Sequence, residues 1–309
     1  MNNFNIKFRI TYKQQLSLKM VVVFLLCAVA LQAQVKTTRL FLIGNSFSQN
    51  ASRYLPQLSK EAGIQLTIGR AELGGCPLNR HWESVEANDA DPNDPKGKPY
   101  NGKSLRELLS DGKWNIVTIQ QYSLLSGDVE TYIPYAERLY AFIKKIQPNA
   151  EVVFHQTWAY RSDAKSFGKI KGEERAKDQQ EMYSYSRASY HYMAKKLGVR
   201  IIPSGDAMQM VATDTKWGFK KDVNFDYDHP TYPALPNQTN SLNVGYSYDK
   251  DQKLNFDPNH ANDAGCYLAG LVWYKFLFKK DPTKVTFKPE KVSQQFADFL
   301  KQTAKKVVK

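Results

Sequence analysis

The sharpest feature of the hydropathy pattern is the wholly apolar run Leu40-Phe41-Leu42-Ile43, which stops at Gly44-Asn45 and is followed by the hydroxyl of Ser46. Such a short run, ended by Gly and Asn, predicts a buried strand with polar residues at its carboxyl end. The amphipathic stretch 52–62 predicts the helix that follows. Beyond it the pattern predicts a strand at 65–70, a loop at 71–82 and a surface excursion at 88–102, where Asp, Pro, Gly and Asn accumulate. A helix around Leu105, a strand at 115–120, a helix at 132–146, a strand at 151–155, a long helix at 173–197 and a strand at 199–203 complete the alternation. Repeated strand-helix units predict a parallel sheet covered on both faces. One stretch breaks the pattern: 213–256 is polar and aromatic, carries Pro230, Pro233 and Pro236, and is too long for an ordinary connection. Because it leads directly into Asp257, it is expected beside the functional site, with its tyrosines and Trp217 forming a wall on which sugars could stack. A helix at 262–279 follows.

Composition refines the picture only at the ends. Lys7, Arg9, Lys13 and Lys19 precede the uncharged run from Val21 to Leu31, which ends near Ala33. A basic leader before an apolar centre of about ten residues, too short to span a bilayer, reads as a secretory signal peptide at 1–33. The expectation is a secreted or periplasmic protein whose single domain fills 34–309, with an insertion at about 213–256. Leu26 before Cys27 is too large for a lipoprotein cleavage site, and no other stretch is apolar enough to cross a membrane. Loss of the signal lowers the formal charge from +13 to about +9. The lysines are scattered except at 301–309, which reads as a solvated helix end, so no nucleic-acid partner is expected. Cys76 and Cys266 remain in the mature chain. A secreted protein permits their pairing, but two buried free thiols are the expected reading.

The candidate chemistry starts from Ser46. In open parallel sheets ligands bind at the carboxyl ends of the strands, and a serine there is a potential nucleophile if a base accompanies it. Near the far end, Asp257-Pro258-Asn259-His260 supplies a carboxylate and an imidazole three residues apart, ahead of the last predicted helix. His260 would be the base and Asp257 its orienting partner. His81 and His155, both expected at the carboxyl edge of the sheet, are open between substrate contact and a structural hydrogen bond; His191 and His229 are read as non-catalytic. Trp82, Trp158 and Tyr160 are open between pocket lining and core. The histidines show no short ligand spacing for zinc. Asp89, Asp91, Asn93 and Asp94 fail the calcium-loop pattern at its glycine and glutamate positions. No phosphate loop, dinucleotide fingerprint or internal repeat is present, so no cofactor is expected.

Five strings in order give the sequence a resemblance to the SGNH (GDSL-like) hydrolases, and within them to the DUF4886-type branch: GNSFS from Gly44, GGCPLNRHW from Gly74, TIQQYSLLSG from Thr118, HQTWAY from His155 and DPNHANDAGCYLAG from Asp257. The resemblance implies a three-layer α/β/α, flavodoxin-like sandwich with a central parallel sheet. It also implies a Ser46-His260-Asp257 triad, and an oxyanion hole made by the amide of Ser46, a glycine amide of the second string (Gly75 is favoured over Gly74) and a side-chain amide of the third. There the sequence departs from the family pattern: the usual Gly-x-Asn-Asp is replaced by Gln120-Gln121-Tyr122-Ser123. Glutamine offers the same donor on a longer arm, so Gln121, or else Gln120, is expected to serve. His81, Trp82, His155 and Trp158 are expected to contact substrate. The implied activity is a secreted esterase removing small acyl groups, O-acetyl above all, from carbohydrates. The alternative is a glycan-binding protein on the same scaffold that has lost turnover, and a lipase or thioesterase is disfavoured by the polar, aromatic character of the expected pocket.

Overall fold

The computed structural model describes residues 36–309, so the expected signal peptide lies outside the described residues. β1 (Lys36–Gly44) runs through the centre of the molecule. Leu40 and Leu42 point into one apolar cluster and Phe41 and Ile43 into another, all four at most 1% exposed. This two-sided burial is why the run is continuously apolar rather than alternating. After β1 come α1 (Ser46–Ser52), α2 (Leu55–Glu61), β2 (Ile64–Glu72), α3 (Leu78–Ala90), α4 (Leu105–Ser110), β3 (Ile116–Ile119), α5 (Tyr135–Ile146) and β4 (Glu151–His155). A hairpin of β5 (Lys169–Lys171) and β6 (Glu174–Arg175) precedes α6 (Gln179–Leu197), β7 (Arg200–Ile202) and α7 (Ser204–Ala212). A second hairpin, β8 (Asn243–Tyr248) with β9 (Leu254–Ala261), leads into α8 (Asp263–Phe278), and α9 (Gln294–Val307) closes the chain.

The five-stranded sheet has the order β2-β1-β3-β4-β7. The β1–β3, β3–β4 and β4–β7 pairs are parallel, with Ile43 opposite Ile119 and His155 opposite Ile202. Helices cover both faces, giving a three-layer α/β/α sandwich around a central parallel sheet. α8 is apolar nearly all round, and Leu268, Leu271, Val272 and Trp273 are fully buried in the cluster against one face. The other cluster gathers α3, α5 and α6 through Leu78, Leu139 and Tyr190. Among the described residues no helix is long and apolar enough to cross a membrane.

Several elements differ from the hydropathy reading. The helix expected at 52–62 is two helices, the first starting at Ser46, because Asn45 caps it. The segment read as a loop at 71–82 contains the start of α3, which places His81 and Trp82 on a helix. The β5–β6 hairpin replaces the first residues of the long helix, and α6 begins instead at its Asp178 cap, whose side chain accepts from Glu181 N. Asp257 and His260 stand on β9, a strand, rather than on the turn before a helix.

The insertion is folded around one buried ion pair. Arg161 and Asp163, with side chains 2% and 1% exposed, meet through two hydrogen bonds of 2.7 and 2.9 Å. The guanidinium also lies over the rings of Phe219, Phe256 and Tyr246, at 4.2, 5.0 and 5.4 Å, and donates to Gln238 at 2.8 Å. Trp217 is not a sugar platform: it stacks on Phe296 and Phe299, the latter two rings belonging to α9. Replacing Arg161 by Met strands the Asp163 carboxylate, and an unpaired buried charge costs about 3–5 kcal/mol. Urea denaturation of Arg161→Met should show that loss, with much of it regained in Arg161→Met/Asp163→Leu; a single variant as stable as wild type contradicts the assignment.

Candidate active site

The turn after β1 is built by close approach. A side chain on Gly44 would meet Ser48 Oγ at 2.7 Å and Gln120 Cδ at 3.0 Å, so only glycine passes there. Asn45, fully buried, then ends the strand and caps α1. Its Oδ1 accepts from the amide of Phe47 at 3.0 Å and from Gln120 Nε2 at 2.8 Å, and its Nδ2 donates to the Cys76 carbonyl at 3.1 Å. One side chain thus ties the Ser46 turn to the Gly74–Cys76 turn and to the end of β3. Gly75 has φ +59°, a left-handed conformation that favours glycine, and its amide has no hydrogen-bond partner among the described residues.

Ser46, the first residue of α1, faces β9. Its Oγ lies 2.9 Å from His260 Nε2, and His260 Nδ1 lies 2.8 Å from Asp257 Oδ2. With Nδ1–H donating to the carboxylate, Nε2 is left as the acceptor for the serine hydroxyl. Asp257 Oδ1 also accepts from the amides of Asn259 and His260, both at 3.0 Å, which fixes the carboxylate against the ring. The hydrogen bond to Asp257 holds the His260 pKa above its ordinary 6.5 against the opposing effect of burial. Burial pushes the Asp257 carboxyl up, but the hydrogen bonds from His260 and the amides outweigh it, and the net shift is down. The His260 and Asp257 side chains remain 40% and 37% exposed, and Ser46 is partly buried.

The two halves of this arrangement, which are 214 residues apart in sequence, are clamped together. Asn50 on α1 accepts from the amide of Ala261 at 3.1 Å. Phe47 stacks on Trp158 at 4.4 Å, and the Trp158 indole donates to the Asn259 carbonyl at 2.9 Å. The Arg161 amide donates to the Pro258 carbonyl at 2.9 Å, linking the buried ion pair to the same strand. Asn262 caps α8 through the amides of Ala264 and Gly265 and holds the insertion by donating to the carbonyls of Ser241 and Asn243.

Other expected site residues do different work. Gln121 is fully buried: its Oε1 accepts from the amides of Leu78 and Tyr122, and its Nε2 donates to Thr131, so it has no donor to aim at Ser46. Gln120 is held between Asn45 and His155, whose Nδ1 is 2.7 Å from Gln120 Oε1. His155 is itself fully buried against Trp158 and Trp273, and burial drives its pKa to about 3. His81, likewise buried, is 2.7 Å from the Tyr100 hydroxyl, and burial lowers its pKa to about 4. Trp158, 1% exposed, is the clamp described above, and Trp82 packs edge-on against Phe142 under the Arg138 guanidinium. His81, His155 and Trp158 are thus enclosed by protein and Trp82 is partly buried, while His81 Nε2, His155 Nε2 and Trp82 Nε1 have no hydrogen-bond partner among the described residues. Cys76 and Cys266 are buried free thiols. Among the described residues no cluster of three or more His, Cys, Asp or Glu could hold a metal ion.

Asn45 and Asn50 were legible as polar residues of the GNSFSQN string, but their partners, Cys76 and Ala261, are brought to them only by the fold. Asn45→Ala removes a helix cap and leaves the Cys76 carbonyl and the Gln120 amide without partners. A loss of about 2–4 kcal/mol in urea denaturation is expected; a change under about 0.5 kcal/mol would contradict the role given to this side chain.

Comparison with known proteins agrees with this architecture. No curated protein matches the sequence. The crystal structure of a DUF4886 family protein from Bacteroides uniformis superposes with a TM-score of 0.66 at 24% identity, covering 88% of this chain and 94% of that one, which is a likeness of fold. A protein from Parabacteroides merdae described as a GDSL-like lipase (TM-score 0.46, 11% identity, 79% and 97% covered) and the periplasmic domain of a lipopolysaccharide acetyltransferase from Salmonella ser. Paratyphi A (0.43, 12%, 85% and 98%) are more distant likenesses. The family model for DUF4886, a domain of unknown function, matches residues 39–235, which include the Ser46 turn and the Gly74–Cys76 turn, and the chain belongs to the DUF4886 family.

Proposed function

We propose that this protein is a serine esterase that removes small acyl groups, O-acetyl above all, from carbohydrates. The observation that carries the reading is the continuous hydrogen-bonded chain from Ser46 Oγ through His260 to Asp257. A serine hydroxyl is a weak nucleophile until a base takes its proton. In the proposed reaction His260 Nε2 receives that proton as Oγ bonds to the ester carbon, and Asp257 stabilises the imidazolium. The amides of Ser46 and Gly75 receive the oxyanion. Collapse expels the sugar hydroxylate, which takes the proton from His260. Water, activated by the same imidazole, then attacks the acyl-serine, and the carboxylic acid leaves.

The open setting of the triad supports a bulky alcohol carrying a small acyl group rather than a long acyl chain sunk in a tunnel. Exposed Tyr232, packed against Tyr248 on the hairpin that carries Asp257 and His260, supports a polar ring substrate. A second reading, glycan binding without turnover, is favoured by one observation, the loss of Gln121 as an oxyanion donor. Incubation with acetylated xylan and with an aryl acetate separates the two: the esterase reading expects acetate release that disappears in Ser46→Ala. Retention of the glycan with no hydrolysis by either protein would move the assignment to binding.

The pairing of His260 also sets a pH dependence. Its pKa lies above 6.5 because of Asp257, and only the neutral imidazole can accept the serine proton. Activity should therefore rise with pH through a limb above 6.5. In Asp257→Asn that limb should move to lower pH while kcat falls by roughly 10²–10⁴-fold. A limb that stays in place when the carboxylate is removed contradicts the pairing.

A further inference from the structure

We propose that the Tyr122 hydroxyl is the third oxyanion donor, replacing the side-chain amide that neither Gln120 nor Gln121 can supply. The assignment rests on the serine-esterase reading and adds a catalytic residue to it.

The sheet register places the group. Ile43 and Ile119 are paired across β1 and β3, so Ser46 and Tyr122 each stand three residues beyond the same rung of the ladder. Tyr122 has left the strand at that point, and its backbone is fixed on both sides. Its amide donates to Gln121 Oε1 at 2.9 Å, and its carbonyl accepts from the amide of Leu125 at 2.8 Å. Gln121 is therefore a support for Tyr122: its carboxamide holds the backbone of the next residue and that of Leu78 at the start of α3.

The ring reaches toward the second oxyanion donor. A carbon added to Gly75 would lie 3.8 Å from Tyr122 Cζ and 3.9 Å from its hydroxyl oxygen. Gly75 thus presents a bare, unpartnered amide beside a phenol, on a turn that Asn45 ties to Ser46. The Tyr122 ring is half-buried, and its hydroxyl has no hydrogen-bond partner among the described residues. Its neighbours behave differently: Tyr190 bonds the Gln121 backbone, Tyr160 is 3.3 Å from Ser123 Oγ, and Tyr132 donates to the Ser126 carbonyl.

The chemistry suits the position. A phenol is a single strong O–H donor that can strengthen its hydrogen bond as charge develops on the carbonyl oxygen. It donates without transferring its proton, so no further step is added to the reaction.

The experiment compares wild type, Tyr122→Phe and a protein with 3,5-difluorotyrosine at position 122, using an aryl acetate over a range of pH. Tyr122→Phe should lose about 10²-fold in kcat with KM little changed, and should bind a boronic acid, which forms a tetrahedral adduct on Ser46, correspondingly more weakly. The fluorinated phenol keeps the shape of tyrosine and ionises at lower pH. Because a phenolate cannot donate, the alkaline limb of kcat should move to lower pH, a shift that a packing role would not produce. Full kcat in a folded Tyr122→Phe, or an unmoved alkaline limb in the fluorinated protein, overturns the assignment of Tyr122 and leaves the esterase reading standing. A wild-type protein that hydrolyses no ester overturns both.

Discussion

The buried side chain of Asn45 is the constraint on which the rest of the site depends. Its oxygen and its amide nitrogen together fix the first turn of α1, the end of β3 and the turn carrying Gly75. Each partner is a backbone or carboxamide group shielded from water, so the cost of leaving any of them unmade exceeds the net worth of the bond itself. The result is a rigid corner: Gly44 cannot carry a side chain, Asn45 cannot lose its amide, and Ser46 is delivered to the mouth of the sheet with its neighbours already placed. Preorganisation of this kind is what a developing negative charge requires, since donors that must be reoriented during the reaction contribute far less.

The other half of the site is held by a different device. β9 carries Asp257 and His260 outside the main sheet, paired only with β8. Two-stranded ribbons are marginal by themselves, and this one gains its stability from Arg161, whose guanidinium is enclosed by Phe219, Tyr246 and Phe256 and neutralised by Asp163. The clamp of Phe47, Trp158 and the Asn259 carbonyl then joins the ribbon to α1. The long polar segment 213–256, a liability as a free loop, therefore becomes the support of His260, and its aromatic residues are spent mainly on one another and on Arg161.

Much of this was legible in the sequence. The apolar run before Gly44, the strand-helix alternation and the spacing of Asp257 and His260 follow local rules of pattern and reach, and the five-stranded sheet with helices on both faces follows from them. What was not legible depended on partners distant in sequence. The Nδ1 partners of His155 and His81, Gln120 and Tyr100, are brought to them by the fold, and the histidines' own neighbours in sequence carry no sign of this. Gln121 looked like a donor because its type is right and its place is right; three backbone groups and a threonine hydroxyl that the fold brings to it use up its capacity. Trp158 and Trp217 show the same ambiguity for aromatic residues, whose large apolar area serves a core as readily as a ligand.

The central claim is that the Ser46 hydroxyl is activated by His260, and it can be tested without knowing the natural substrate. A fluorophosphonate probe reacts with an activated serine, and intact mass with peptide mapping locates the adduct. The account predicts a single adduct on Ser46 in wild type and a large fall in labelling in a folded His260→Ala variant. Well-folded wild-type protein that takes up no probe, or that is labelled at Ser46 equally well without His260, would contradict it.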